Sequence, residues 1–214
     1  MAALFITFEG LDGSGKSTHL RRAAEWMQAR GLDVRCTHEP GGTPLSDAIR
    51  GLFLDPSWEK VEPQVEALLV FASRRQHLAE VIEPALAAGT HVLCDRFTDS
   101  SLAYQGTGRG LAREWLTALD QLATGGREPD ATLLFDLPAD AAQQRGQSPK
   151  RQQQEGGLDR FDVENLAFYS RVRAGFLELA EVHPERFRLI DSSQDVENTW
   201  QQVEAALEAL LYPP

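Results

Sequence analysis

Gly10-Leu11-Asp12-Gly13-Ser14-Gly15-Lys16-Ser17 is the stretch on which the reading of this chain turns. It fits G-x-x-x-x-G-K-[ST], and it lies where that motif must lie, after an apolar run at 4–8 and at the opening of a helical pattern. Gly10, Gly13 and Gly15 permit backbone angles and close approaches that a Cβ obstructs, so successive N–H groups can turn inward around a β-phosphate. The helix that starts there adds the positive end of its dipole. Lys16 is expected to reach the β- and γ-phosphates, and the Ser17 hydroxyl to ligate a Mg2+ ion bridging the same oxygens. Leu11, Asp12, Ser14 and Thr18 complete the expected ATP-binding loop.

Working outward, Leu20, Ala23, Ala24 and Met27 fall at i, i+3, i+4 and i+7, one face of a helix that Gly31 would close. Further apolar runs at 34–37, 92–94, 132–137 and 187–190 alternate with longer helical patterns, which predicts an α/β fold with a parallel sheet wrapped by helices. Val65, Leu68, Leu69 and Ala72 mark a helix running toward Pro84, and 167–182 and 196–211 read as two more. Such periodicity does not distinguish a core face from an interface. No repeat or linker divides residues 1–214, so one domain is expected. The segment 143–157 stands apart: it is rich in Gln, holds Arg145, Lys150 and Arg151, and reads as a mobile loop or short helical lid.

Lys plus Arg number 21 against 32 Asp plus Glu, a formal charge of -11, which argues against broad binding to DNA, RNA or an anionic membrane. An anionic ligand must therefore meet a local basic site, and the basic residues are 18 Arg to 3 Lys, forks suited to phosphate and carboxylate. Cys36 and Cys94 lie in apolar runs and are expected to be buried small hydrophobes in a reduced compartment. No apolar stretch reaches membrane-spanning length and the first apolar run lacks a basic flank, so a cytoplasmic protein is expected.

A phosphate loop is shared by kinases, GTPase switches and ATP-driven machines. A Ras-like switch needs Asn-Lys-x-Asp, whereas Asn165 and Asn198 are not followed by Lys. In an open parallel sheet, ligands bind beyond the carboxyl ends of strands. There the chain carries Glu39-Pro40-Gly41-Gly42-Thr43, Asp95-Arg96-Phe97 and Asp136. Glu39 and Asp95 are candidates to hold Mg2+, its waters or an acceptor hydroxyl, and Arg96 to neutralise the phosphate under attack. Asp136 is expected to cap the helix after it. Arg74 and Arg75 sit mid-helix beside Phe71, one placed to face an acceptor and the other solvent. Ser101, Tyr104 and Gln105 belong to an unusual polar, glycine-rich loop.

These blocks, with Phe8-Glu9 before the phosphate loop, Phe71-Ala72-Ser73-Arg74, Ala103-Tyr104-Gln105-Gly106 and Leu158-Asp159-Arg160-Phe161, together resemble the bacterial thymidylate kinases over 5–181. The resemblance implies a three-layer P-loop NTP hydrolase fold, a five-stranded parallel sheet flanked by helices, with a lid over about 143–160. It implies transfer of the γ-phosphate of ATP, with Mg2+, to dTMP, giving dTDP for dTTP synthesis and DNA replication. It also implies a homodimer, with the helix around 65–78 as a candidate interface. By the same resemblance Asp12 holds the sugar 3′-hydroxyl, Phe71 stacks on thymine, and Arg74, Ser101 and Gln105 contact the base edge. Tyr104 crowds out a ribose 2′-hydroxyl, Arg50 and Arg96 grip the acceptor phosphate, and Glu39 with Asp95 organises Mg2+ and water. Family members keep a catalytic basic residue in the phosphate loop or on the lid. Residues 11–14 contain none, which leaves Arg145, Lys150, Arg151 and Arg160, with Arg151 favoured. His38 stands where the family commonly has Arg. A kinase for another small acceptor, such as a deoxynucleoside or a different pyrimidine monophosphate, is the nearest alternative, and a slow ATP-responsive interaction module is the next.

Overall fold

The computed structural model describes residues 2–58, 60–146, 160–161 and 164–212. Its centre is β1 (Phe5–Gly10), buried along its whole length. Around it lie β2 (Val34–His38), β3 (His91–Asp95), β4 (Ala131–Asp136) and β5 (Phe187–Asp191), in the order β2-β3-β1-β4-β5. Every pairing is parallel. The expected α/β architecture is therefore present, with each strand within about two residues of the apolar run that predicted it.

Successive side chains of β1 and β4 go to opposite faces of the sheet, and both faces are dry. Ile6 and Phe8 with Leu133 and Phe135 pack beneath Leu20, Ala23 and Met27 of α1 (Lys16–Gln28). The same cluster includes Trp200, Val203 and Leu207 of α9 (Val196–Leu211). Across the sheet, Leu134 packs with Phe168, Val172 and Phe176 of α8 (Leu166–Val182). Burial on both faces is why these strands read as near-continuous apolar runs rather than alternating ones. After α1, Gly31 (φ 78°) closes the turn through Leu32 N–H donating to Met27 O at 3.3 Å.

The remaining helices are α2 (Pro44–Leu54), α3 (Pro63–His77), α4 (Glu83–Ala87), α5 (Thr98–Ser101), α6 (Arg113–Thr124) and α7 (Ala139–Gly146). Thr43 caps α2 by accepting from Ser46 N–H, with Pro44 in the first turn. A π-helical turn, Leu78–Ile82, links α3 to α4, and a second, Leu102–Gly108, follows α5.

One point left open by the periodicity is answered here, and two expectations change. The apolar row of α3 faces outward: Val65 and Leu68 are 46% and 50% exposed, while Glu66, Val70, Phe71, Arg74 and His77 are buried. Polar residues occupy the inner face because they pair with one another across the interior. Cys36 is exposed on the edge strand β2, and Cys94 alone is the buried thiol. Asp136 is held in a two-pronged ion pair by Arg173 of α8, Nε at 2.7 Å and Nη2 at 2.8 Å, which is its place in the structure instead of the expected helix cap. No helix among the described residues is long and apolar enough to cross a membrane.

Candidate active site

The carboxyl ends of β1 and β3 lie side by side, Phe8 in register with Asp95, so the loops that follow them open onto one cleft of about 730 Å³. The first loop is shaped by its glycines. Gly10 (φ 134°) lies so close to the neighbouring strand that a Cβ would meet Phe135 O at 2.4 Å. Gly15 (φ 89°) begins α1, which has no side-chain cap. The first N–H groups of α1 are thus left to a ligand, and an uncapped helix start is suited to phosphate. Lys16 is buried and donates from Nζ to Leu11 O at 2.8 Å. Burial, then the charge of Arg96, pushes the Lys16 ammonium down to about 8. A polyphosphate placed against it favours the charged form again.

The second loop turns sharply at Arg96, whose φ of 73° is the single positive value at a non-glycine among the described residues. Glu9 holds this turn from beneath, accepting from Phe97 N–H at 2.7 Å and Ser100 Oγ at 2.5 Å. Burial, then the neighbouring charge of Asp99, pushes the Glu9 carboxyl up to about 8. Arg96 donates to Gly10 O and Ser100 Oγ from Nη1, and to Asp12 Oδ1 at 2.7 Å from Nη2. Burial works against its charge, but Asp12, Tyr104 and Asp95 outweigh burial and hold it well above the usual arginine value. Tyr104 O–H completes the group by donating to Asp12 Oδ2 at 3.1 Å.

At the foot of the cleft Ser17 Oγ donates to Asp95 Oδ2 at 2.5 Å. A hydroxyl beside a carboxylate, next to the phosphate loop, is a donor set that suits a hard cation retaining water and phosphate oxygens. Glu39 does not join them. Its Oε2 accepts from Arg74 Nε at 2.7 Å and its Oε1 meets His77 Nδ1 at 2.9 Å, so both oxygens of this cleft-lining residue already hold side-chain partners. No group of three or more His, Cys, Asp or Glu that could hold a metal occurs among the described residues.

Most of the predicted residues converge. Asp12, Gly13, Gly15, Lys16, Ser17 and Thr18 line the cleft from the first loop. Glu39, Arg50, Arg74, Asp95, Arg96, Ser101, Tyr104 and Gln105 line it from the other elements. Gly10, Leu11 and Ser14 form the layer behind, all buried. Phe71 departs from its expected role, since it lies under the Arg74 guanidinium at 4.5 Å and packs with Ala67 and Leu116, away from the cleft lining. Arg74 is the inward member of the Arg74–Arg75 pair, and Arg75 is the exposed one. Arg74 is 1% exposed, and its Nη1 has no partner among the described residues. Arg145 lines the cleft and donates to Ser192 O. Arg160 is turned away into an ion pair with Glu66, Nη1 to Oε1 at 2.9 Å. Lys150 and Arg151 lie outside the described residues. Sequence reasoning missed Phe53, Val70 and Ser100 in the cleft wall, and His77 and Glu9 behind it. The signal for His77 was its place one turn beyond Arg74, and for Glu9 its place directly before Gly10.

A phosphate loop closing the central strand of a parallel sheet, in a cleft whose other wall carries Arg74, Ser101, Tyr104 and Gln105, places the chain in the P-loop class of nucleotide-binding proteins. The sequence comparisons narrow the class. A family model described as Thymidylate kinase matches residues 8–203. Thymidylate kinases among the similar proteins include that of Desulfovibrio desulfuricans, 50% identical over 212 residues, 97% of this chain and 96% of that protein. The one from Pseudomonas syringae pv. syringae is 49% identical over 211 residues, 99% of this chain and 96% of that protein. A crystal structure of the thymidylate kinase from Ehrlichia chaffeensis superposes with a TM-score of 0.77 at 32% identity, covering 97% of this chain and 99% of that one. The chain belongs to the thymidylate kinase family, and it is a nucleoside monophosphate kinase, a transferase with a P-loop ATP site.

Proposed function

We propose that this chain phosphorylates dTMP to dTDP with ATP, and that the two ends of its cleft divide the work. The observation that carries this reading is Arg74: a buried, unpartnered N–H on a residue lining the pocket wall, with Ser101 and Gln105 in the same wall. A desolvated donor of this kind demands an acceptor on its ligand, and a pyrimidine carbonyl supplies one. At the other end the phosphate loop and Lys16 take the β- and γ-phosphates of ATP. Asp12 receives the sugar 3′-hydroxyl, with Tyr104 filling the space a 2′-hydroxyl would need. Arg50 and Arg96 grip the acceptor phosphate. Ser17 and Asp95 are the residues that would hold Mg2+, which when bound neutralises charge on the phosphates.

The acceptor's phosphate oxygen arrives ionised, so the reaction needs no strong base. What this chain contributes is alignment of two mutually repelling phosphates and fixed positive charge around them. Lys16 and Arg96 supply that charge from the body of the enzyme. Arg145 is the basic residue of the 143–160 segment that lines the cleft among those described, and Arg145→Ala compared with Arg151→Ala separates the two. Coupled ADP release with ATP and Mg2+ tests the whole reading. Stimulation by dTMP well above UMP, CMP, AMP, GMP or thymidine is expected, and equal stimulation by another acceptor would overturn the base assignments.

A homodimer through α3 belongs to the same proposal. Leu45 and Leu52 of α2, Val65 and Leu68 of α3, and Trp115 and Leu122 of α6 are exposed on helices that pack side by side. Exposed apolar side chains on neighbouring helices suit an association face. Sedimentation of wild type against Leu68→Glu should show a dimer lost in the variant. Cytoplasmic location is the setting in which ATP and dTMP are met.

A further inference from the structure

His77 is a fully buried side chain with no role in the scheme above, and it grips the carboxylate that the residue pattern had suggested for a metal. Its Nδ1 meets Glu39 Oε1 at 2.9 Å and its Nε2 meets Thr37 Oγ1 at 2.5 Å. Glu39 in turn accepts from Arg74 Nε at 2.7 Å, and Arg74 Nη2 donates to Ser101 Oγ at 3.0 Å. The five side chains form one chain from the edge strand β2 to the wall of the cleft. Glu39, Arg74, His77 and Ser101 are each no more than 2% exposed.

We propose that His77 is a positioning residue for base recognition: it clamps Glu39 so that Glu39 holds Arg74 with Nη1 left over for a carbonyl at position 4 of a pyrimidine. The chain thereby sets the preference for a 4-oxo over a 4-amino base. This rests on the reading of the acceptor as dTMP. Proton bookkeeping supports the direction of the chain. A carboxylate only accepts, so Nδ1 carries the proton toward Glu39, and Nε2 shares a hydrogen bond with the Thr37 hydroxyl. Arg74 Nε donates to Glu39 and Nη2 to Ser101, which leaves Nη1 as the one guanidinium nitrogen with no protein partner among the described residues. An amino group presented there would set donor against donor.

The surroundings are shaped to keep the ring in place. Gly42 (φ 89°) passes so close that a Cβ would lie 2.6 Å from the imidazole. Glu39 N–H donates to Asp95 O at 2.9 Å, which ties the backbone of the carboxylate to the turn carrying Arg96. Without His77 the buried carboxylate loses one of its two partners. Arg74 is then free to follow it, and the cost appears in substrate binding before it appears in the transfer step.

The test uses the full chain and reads kcat and KM separately for dTMP and dCMP in wild type, His77→Gln and His77→Asn. The Asn amide can occupy the Nδ1 position and donate to Glu39; the Gln amide reaches instead toward the Nε2 position. His77→Gln should raise KM for dTMP about 10-fold or more, with kcat changed less, and narrow the dTMP-over-dCMP preference by about 10-fold. His77→Asn should stay within about threefold of wild type on both counts. ATP affinity, measured by calorimetry, should be unchanged in both and shows that each variant is folded. Loss of discrimination in His77→Gln restored in His77→Asn supports the proposal. Unchanged discrimination in His77→Gln, or equal loss in two folded variants, overturns it. If His77→Gln does not fold, Thr37→Val decides: a narrowed preference supports the chain, and an unchanged one overturns it. A wild type without preference for dTMP overturns the acceptor reading itself, and does so before any variant is made.

Discussion

Arg96 carries two burdens that can be separated by replacing it twice. Its guanidinium donates to both Asp12 and Gly10 of the phosphate loop, while its backbone sits at φ 73°, where a Cβ is strained. Arg96→Ala and Arg96→Gly both remove the charge, so both should lose about a thousandfold in turnover, roughly 4 kcal/mol of transition-state stabilisation. They differ in the backbone. A left-handed residue with a Cβ costs roughly 1–2 kcal/mol, and glycine returns about 0.5–1 kcal/mol of that through its freer unfolded chain. Arg96→Gly should therefore be the more stable variant by about 1 kcal/mol, a Tm difference of about 2–4 °C for a chain of this size. Coupled ADP release and calorimetric melting measure the two effects independently. Turnover in either variant within tenfold of wild type would refute the charge argument. An Ala variant that melts at or above the Gly variant would refute the strain argument.

Lys16→Ala should cut turnover by about a hundredfold or more while leaving KM for dTMP within a few-fold, because Lys16 belongs to the ATP end of the cleft. Since burial lowers Lys16 to about 8, ATP affinity of the free wild-type enzyme should weaken as pH rises past 8, and calorimetry at pH 7 and 9 checks this. Glu9 is raised from 4.5 to about 8, so between those values the folded chain keeps a proton that the unfolded chain has released. Its stabilising contribution is full below pH 4.5 and is lost as pH rises through 8. Glu9→Gln copies the protonated form, with an oxygen for Phe97 N–H and an amide for Ser100. Melting at pH 5, 6.5 and 8 should show a flatter profile than wild type; parallel profiles would remove Glu9 from the account. Asp95→Asn should raise the Mg2+ concentration needed for half-maximal activity, read from ADP release across a metal titration.

The parts of the molecule legible in the sequence were those set by neighbours in the chain. The phosphate loop is a run of eight residues whose glycines dictate its shape, and the buried strands advertise themselves as unbroken apolar runs. What stayed hidden was decided by partners far away. The α3 periodicity was real, but Glu66, Arg74 and His77 turn inward because Arg109, Arg160 and Glu39 wait for them there, so the apolar row is left outside. Glu39 looked like a metal ligand because it follows a strand end; its commitment to Arg74 and His77 spans 35 and 38 residues of sequence. The same holds for Asp136, claimed by Arg173 on a distant helix.

The covered state of Arg74 has a consequence for how recognition and folding share their energies. A guanidinium in water must shed its hydration shell to meet a base, and that loss normally falls on the binding step. Here the shell is already gone: Arg74 is 1% exposed, with one aromatic ring below it and a second, Phe97, at 5.0 Å. The dehydration falls on folding, and in the proposed contact the base meets a donor with nothing left to give up. Affinity for the acceptor is in that sense drawn from the stability of the empty enzyme. Conditions that loosen the interior should blunt the choice of base before they unfold the chain.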